Sequence, residues 1–169
     1  MKNKGAQVLL IGIGGYMLYR HIKKQFFIDN AREIDILART VYGEARGETA
    51  QGQQAVLSTI LNRVKRGGWW GATIEEVCKK PYQFSCWNPE TTSDKQSGRA
   101  NYERMISVTT ADPTFAYIYE LSKTAVENGG ALLNDYSNGA THYHAKSVNP
   151  SWAGKLTKTA EIGNHIFYS

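Results

Sequence analysis

The chain has 169 residues, which is the length of one domain that can bury a hydrophobic core. Hydrophobic residues make up 41% of it and charged residues 21%, and this composition excludes a disordered or collagen-like chain. The formal net charge is +5, but five of the 20 Lys and Arg residues, and no acidic residue, lie within residues 1–24. The remaining 15 basic residues balance the 15 acidic ones, so we expect no nucleic-acid partner.

Residues 1–28 form a leader whose apolar part, residues 6–19, carries no charge and is flanked by basic residues. As a helix these fourteen residues would extend about 21 Å, whereas the hydrocarbon core of a bilayer is about 30 Å thick. Gly12, Gly14 and Gly15 weaken the helix further. We expect a short apolar helix that is a signal anchor, an uncleaved export signal or a segment packed against another protein.

The first helix of the domain that follows is expected over about residues 31–46. Asn30 and Glu33 have the spacing of a capping box, in which two side chains satisfy backbone N–H groups at the start of a helix. Apolar residues then recur at helical spacing: Ile34, Leu37, Ala38 and Val41. A second apolar stripe predicts another helix, which ends at Gly67-Gly68 and packs against the first. Its members are Ala55, Val56, Ile60, Leu61 and Val64.

Shorter elements are expected in the second half. Thr73 and Glu76 form another capping box, for a helix over residues 74–79. Helical patterns return at residues 99–110 and 114–128, and short alternating runs after Asp135 predict loops and a small sheet. The fold class is therefore α+β and mainly α, with a small β-sheet and a short apolar helix in front.

Glu44 stands at the end of the first apolar helix, on its core-facing side. A carboxylate in that position loses hydration, which disfavours its charged form and suits a general acid. The alternative is a surface Glu paired with Arg46. Glu48 is either a second catalytic carboxylate or an acceptor at the start of the next helix. Two carboxylates on one continuous helix would approach a sugar from the same side, so the pattern favours a single acid.

The histidines of the H-x-H sequence at His142 and His144 would face the same side of a strand. With His165 and a Glu they could form a zinc site, but the sequence lacks the spacing of known zinc motifs. The alternative is a pair of polar histidines beside a cleft, and we predict no metal.

Cys78 and Cys86 can form a local disulfide if the chain is exported, or stay buried thiols in a reducing compartment. Aromatic residues cluster in the loop-rich segments, where they suit sugar rings with apolar faces, although core packing explains about half of such residues. They are Trp69, Trp70, Tyr82, Phe84, Trp87, Tyr143 and Trp152.

The run L-A-R-T-V-Y-G-E-A-R-G-E at residues 37–48 closely resembles the SleB/CwlJ-type cell wall hydrolases, known from spore germination and from bacteriophage lysis. The resemblance continues in order through nearly all of residues 33–168. Its further motifs are G-Q-Q-A-V at 52–56, I-L-N-R-V at 60–64, Q-F-S at 83–85, A-T-H-Y at 140–143, Pro150 with Trp152, and I-G-N-H-I-F-Y at 162–168.

The resemblance implies that residues 29–169 are a lysozyme-like catalytic domain. It implies cleavage of peptidoglycan between N-acetylmuramic acid and N-acetylglucosamine, as in lytic transglycosylases, without metal or cofactor. Glu44 would be the essential acid. The substrate-binding residues would be Gln83, Phe84, Ser85, His142 and Tyr143. Tyr42, Arg46 and Glu48 would support the catalytic residue.

The absence of a separate wall-binding domain points to a phage or membrane-associated lysin. Residues 6–19 would then contact a membrane or a virion protein, and the enzyme would act at a membrane, in the periplasm or wall of a bacterial host, or in a virion. Two rival functions are a zinc-dependent peptidoglycan peptidase using His142, His144 and His165, and a non-catalytic, membrane-tethered wall-binding module.

Overall fold

A computed structural model describes residues 15, 17, 18, 30–91, 94–130 and 134–169. Most of the predicted apolar helix at residues 6–19, and the predicted domain boundary at residue 28, therefore lie outside the described residues. Residues 15, 17 and 18 are helical, and the side chains of Met17 and Leu18 are exposed. Within the part of the chain that is described, no helix combines the length and apolar composition needed to cross a membrane.

The described residues from 30 onward form five α-helices and a small sheet, which confirms the predicted α+β, mainly α class of the domain. The helices are α1 at residues 30–45, α2 at Ala50–Arg66, α3 at Ile74–Cys78, α4 at Lys95–Ser107 and α5 at Pro113–Glu127. The strands are β1 at His142–Ala145, β2 at Lys158–Ile162 and β3 at His165–Tyr168. The largest difference from the predicted helices is that α4 begins four residues early, at Lys95, because Asp94 accepts hydrogen bonds from two backbone N–H groups there.

Helix ends follow capping rules, with one correction. The Thr73 side chain accepts a hydrogen bond from the Glu76 N–H group, as predicted for the start of α3. The capping box at Asn30 is wrong, because residue 30 is already helical. The Glu33 carboxylate instead accepts a bond from the Ile74 N–H group at 2.8 Å, at the start of a different helix. A helix N-terminus favours a carboxylate wherever it comes from in the sequence.

The apolar stripes of α1 and α2 belong to one hydrophobic core, as the sequence predicted. Leu37 and Val41 from α1 and Val56 and Ile60 from α2 are completely buried, together with Phe167 from β3. Burying such side chains is worth about 1.5–3 kcal/mol each. The core therefore fixes the end of α1 relative to the sheet.

The three strands form an antiparallel sheet in the order β1-β3-β2. Tyr143 is paired with Phe167, and Ala145 with His165. Since neighbouring residues of a strand alternate between faces, His142 and His144 point to one side of the sheet and Tyr143 to the other.

Helix α2 holds the chain that leads into β1. The Asn62 amide donates to the Ala140 carbonyl oxygen at 3.1 Å, and the Arg63 guanidinium donates through Nε to the Thr141 carbonyl oxygen at 2.7 Å. Both bonds are made just before Tyr143, so they set its position relative to the α1–α2 core.

Candidate active site

The Glu44 carboxylate lies in a surface cleft and accepts three hydrogen bonds. The Tyr143 hydroxyl donates to Oε2 at 3.0 Å. The Ser85 hydroxyl and the Cys86 backbone N–H group donate to Oε1 at 3.2 and 3.1 Å. Two distant segments of the chain therefore converge on one carboxylate, which fixes its orientation.

The residues around Ser85 reach Glu44 because Gly43 leaves room for them. A Cβ atom at position 43 would lie 2.6 Å from the Cys86 Cβ atom, closer than real side chains approach. The segment is also anchored by the Trp87 indole, which donates to the Thr40 hydroxyl at 2.8 Å. The glycine that precedes Glu44 is thus part of the reason that Ser85 and Cys86 can bind it.

Tyr143 stays a hydrogen-bond donor at neutral pH. Burial, and next the charge of Glu44, hold the pKa of its phenol well above the usual value. Its ring packs against His165 and Phe167, with ring centroids 5.1 and 5.7 Å away. The hydroxyl is therefore held at a fixed position and remains protonated.

The cleft has two adjoining compartments. The Glu44 compartment has a volume of about 370 Å³ and is lined by Glu44, Arg63, Tyr82, Gln83, Ser85 and Tyr143. The aromatic compartment has a volume of about 480 Å³ and is lined by Arg63, Trp69, Trp70, Tyr82, Gln83, His142, Tyr143 and Trp152. The four shared residues make this one continuous cleft, and its volume is in the range of ligand-binding clefts.

Arg63 lines both compartments, and sequence reasoning missed it as a site residue. Its guanidinium carbon lies 4.4 Å from the ring centroid of Trp70 and 4.9 Å from that of Phe84. The residue is 5% exposed, and burial lowers the pKa of its guanidinium. The sequence does contain a pattern that could have identified it. Arg63 continues the buried stripe of α2 three residues after Ile60, and a charged residue is unusual in such a stripe.

Of the predicted substrate-binding residues, Gln83, Ser85, His142 and Tyr143 line the cleft. Phe84 is 1% exposed and belongs to the hydrophobic core, so its assignment to the cleft is corrected. The backbone at Phe84 is extended, and alternation therefore turns its ring away from the side of Gln83 and Ser85.

His142 is a wall of the aromatic compartment. Its ring lies between those of Trp70 and Trp152, with centroids 5.1 and 5.3 Å away. Burial lowers the pKa of its imidazole, and the nearby charges of Arg63 and Arg66 lower it further. The neutral form is therefore favoured at neutral pH.

Glu48 lies outside α1, which ends at residue 45. Its carboxylate accepts hydrogen bonds from the Asn164 backbone N–H group and side-chain amide, both at 3.0 Å. Gly163, in the same turn and with a φ of +56°, leaves no room for a side chain beside that carboxylate. Glu48 thus connects the β2–β3 turn to the segment between α1 and α2.

Arg46 and Tyr42 connect the end of α1 to other helices. The Arg46 guanidinium donates to the Asn101 side-chain oxygen on α4. The Tyr42 hydroxyl donates at 3.1 Å to Asp112, whose side chain caps the start of α5. Together these bonds fix the part of α1 that carries Glu44.

Cys78 and Cys86 are both buried free thiols, so the disulfide considered from the sequence is not formed. Burial raises the pKa of the Cys78 thiol to about 12 and that of the Cys86 thiol well above its usual value. Both side chains belong to the hydrophobic core. This is the buried-thiol alternative that the sequence left open.

The three histidines of the rival zinc site do not converge. His144 stacks on Tyr168, whereas His165 contacts Tyr143 and Phe167 on the other face of the sheet. Among the residues described, no group of three or more His, Cys, Asp or Glu side chains is arranged to hold a metal ion.

The cell wall hydrolase family model matches residues 47–168, so the chain belongs to the cell wall hydrolase family. This match begins three residues after Glu44, which lies outside it.

Two curated relatives are spore cortex-lytic enzymes. One, from Halalkalibacterium halodurans, is 32% identical over 80% of this chain and 34% of the relative. Another, from Oceanobacillus iheyensis, is 25% identical over 80% of this chain and 41% of the relative. The chain therefore spans between a third and about two fifths of the length of these relatives.

Solved structures are similar over most of their length. The catalytic domain of the Bacillus cereus SleB protein has a TM-score of 0.57 and 25% identity, covering 81% of this chain and 89% of that one. The catalytic domain of the germination-specific lytic transglycosylase SleB from Bacillus anthracis has the same TM-score and identity, covering 81% and 93%. The fold of this domain is therefore that of the SleB catalytic domain.

Proposed function

We propose that residues 29–169 are a catalytic domain that cleaves peptidoglycan between N-acetylmuramic acid and N-acetylglucosamine, as a lytic transglycosylase with Glu44 as its single acid and base. The observation that carries the proposal is a carboxylate held by three donors inside a cleft lined with aromatic rings. Among the described residues that line the cleft, Glu44 is the only Asp or Glu. Family membership and the name of the Bacillus anthracis relative support the same chemistry.

The first step is proton donation. Protonated Glu44 gives its proton to the glycosidic oxygen, and the bond from that oxygen to the anomeric carbon of N-acetylmuramic acid breaks. The electron pair goes to the departing oxygen, and positive charge develops at the anomeric carbon. The new Glu44 carboxylate stabilises this charge, and Tyr143, Ser85 and Cys86 keep the carboxylate in place.

The second step is ring closure. A hydroxyl of the same N-acetylmuramic acid attacks the anomeric carbon and forms an anhydro ring, while its proton returns to Glu44. No water is consumed, and the acid form of Glu44 is restored. The attacking hydroxyl is held near the reacting carbon by the sugar itself, so it competes well against water.

The two hydroxyl groups at Glu44 are suited to both protonation states. A hydroxyl can donate to a carboxylate and accept from a carboxylic acid, so Tyr143 and Ser85 can bind Glu44 before and after proton transfer. The Cys86 N–H group can only donate, and it therefore favours the form in which Oε1 carries no proton. Proton transfer through Oε2, on the Tyr143 side, fits this arrangement.

We also propose that the leader delivers the domain to the wall, as in a phage or membrane-associated lysin. The support is the sequence alone, in which residues 6–19 are apolar and lie between basic clusters. Removing residues 1–24 should abolish lysis from inside a host while leaving cleavage of purified wall unchanged. Equal lysis by the shortened chain would contradict this role.

The test of the catalytic proposal is digestion of purified wall by wild type and by Glu44→Gln, with mass spectrometry of the fragments. The amide cannot donate a proton as an acid does, so we expect anhydro-muropeptide release to fall at least about 100-fold. Glu103→Gln is the matched control, because Glu103 is exposed on α4 and should leave the rate unchanged.

Other outcomes identify the rivals. Peptide fragments whose release stops when a chelator is added would indicate a zinc peptidase. Intact wall with bound protein, for wild type and variant alike, would indicate a binding module. Either result would overturn the proposal, whereas anhydro products that are insensitive to chelator support it.

A further inference from the structure

Tyr82 has two features that do not stabilise the folded state. Its side chain is 81% exposed, the highest value among the large hydrophobic residues described. Its backbone φ is +64°, in the left-handed region that residues with a Cβ atom rarely adopt. Among the described residues, no hydrogen bond or ring contact connects the Tyr82 side chain to the rest of the chain.

The local sequence explains the backbone conformation. The Gln83 N–H group donates to the Lys80 carbonyl oxygen at 3.2 Å, which closes a four-residue turn with Pro81 and Tyr82 at its centre. Pro followed by a residue with positive φ is the pattern of a type II turn, whose third position is usually Gly. Phe84 in the core then fixes the chain after the turn. A Gly at position 82 would fit this turn without strain.

The Tyr82 ring lies where a ligand bound along the cleft would meet it. Tyr82 lines both compartments of the cleft, next to Gln83, and is therefore placed where they meet. A glycan strand that extends from Glu44 into the aromatic compartment has to pass this point. The sugar rings of such a strand have apolar faces that pack on aromatic rings and polar rims that need hydrogen bonds.

We propose that Tyr82 stacks on a sugar ring of the glycan strand beside the bond that is cleaved, and that the turn keeps it in place at a cost in stability. This rests on the proposed function, because it takes an N-acetylated sugar strand as the ligand. Gln83 lies at the same junction, and its side-chain amide can donate to the rim of the sugar.

Three variants in a Glu44→Gln background separate the ring from the backbone. Tyr82→Gly removes the ring and the strain, Tyr82→Ala removes only the ring, and Tyr82→Phe removes only the hydroxyl. Binding is measured with peptide-free glycan strands from bacterial wall as the probe, followed by tryptophan fluorescence, and stability by thermal unfolding. Asn138→Gly is the control, since Asn138 also has positive φ but lies outside the residues that line the cleft.

We expect Tyr82→Gly and Tyr82→Ala to bind the strands about fivefold more weakly, whereas Tyr82→Phe and Asn138→Gly bind like the parent. Tyr82→Gly should melt about 3 °C above the parent, and Tyr82→Ala should not. The proposal is overturned if Tyr82→Gly binds as tightly as the parent, if Tyr82→Phe is as weak as Tyr82→Gly, or if Tyr82→Gly gains no stability.

The two proposals fail in different ways. If wild type cleaves wall and the folded Glu44→Gln parent binds the strands, an unaffected Tyr82→Gly variant overturns only the role of Tyr82. If wild type does not cleave and the folded parent does not bind, the proposed function is overturned, and the role of Tyr82 with it.

Discussion

The two compartments of the cleft are built in different ways. In the Glu44 compartment, the groups that touch Glu44 are held by the core or by β1, because Cys86 and Phe84 are buried and Tyr143 is packed on Phe167. In the aromatic compartment, Trp69 lies in a short 3-10 helix and its side chain is 64% exposed. Tyr82, at the junction of the two compartments, lies in a turn and is 81% exposed. This difference fits the proposed function, in which proton transfer requires fixed donors and binding of a strand requires accessible ring faces.

Apart from the loss of Glu44 itself, the largest effect is expected for Tyr143→Phe. The variant removes the hydroxyl that donates to Glu44 Oε2, and a hydrogen bond to a charged group is worth about 1.5–3 kcal/mol. We expect kcat to fall between about tenfold and about 100-fold with little change in KM.

Steady-state kinetics on soluble glycan strands would measure this effect. Tyr117→Phe is the control, because that hydroxyl accepts a bond from the Gln54 amide on the surface and should not affect the rate. A change in KM alone for Tyr143→Phe would place Tyr143 in binding and contradict its role at the carboxylate.

The next effect concerns the wall of the Glu44 compartment. Gly43→Ala places a Cβ atom against Cys86 and forces residues 85–87 away from α1, which costs about 1–3 kcal/mol of stability. The donors from Ser85 and Cys86 move with that segment, so we expect a loss of activity as well. Urea denaturation and wall digestion measure the two effects.

Gly47→Ala is the matched control for Gly43→Ala, since no atom would lie within 4 Å of the added Cβ. Equal stability and activity of Gly43→Ala and Gly47→Ala would contradict the prediction. It would mean that the close packing of residues 85–87 on α1 is not needed to position Glu44.

The smallest effect is expected in the aromatic compartment. Trp69→Ala removes an exposed ring, and we expect KM to rise about threefold to fivefold while kcat is unchanged. Stability should change by less than about 0.5 kcal/mol, because the site is on the surface. A fall in kcat without a change in KM would remove the distinction between the two compartments.

Periodicity predicted the helices and the inward direction of Glu44, because a buried apolar stripe dictates both. It places Arg63 on the buried stripe of α2 but could not show that its guanidinium forms a wall of the cleft, since the contacts with Phe84 and Thr141 come from distant parts of the sequence. The capping box at Asn30 was wrong for a related reason, as Glu33 binds the start of α3 instead. Local patterns do not show which distant backbone group a carboxylate will meet.

Glu44 and Glu48 illustrate the same limit. The sequence shows two carboxylates four residues apart, yet α1 ends between them and their partners differ completely. Glu44 binds Tyr143 and Ser85 in the cleft, whereas Glu48 binds Asn164 in a turn. Their spacing alone would have allowed a catalytic pair, and the helix end between them separates the two roles.

The most direct test of catalysis by a single carboxylate is digestion of purified wall in water labelled with oxygen-18. Ring closure by the sugar's own hydroxyl predicts anhydro-muramic acid ends without the label, and almost no product from Glu44→Gln. Labelled oxygen on the anomeric carbon of the muramic acid ends, or unchanged anhydro product from Glu44→Gln, would contradict it.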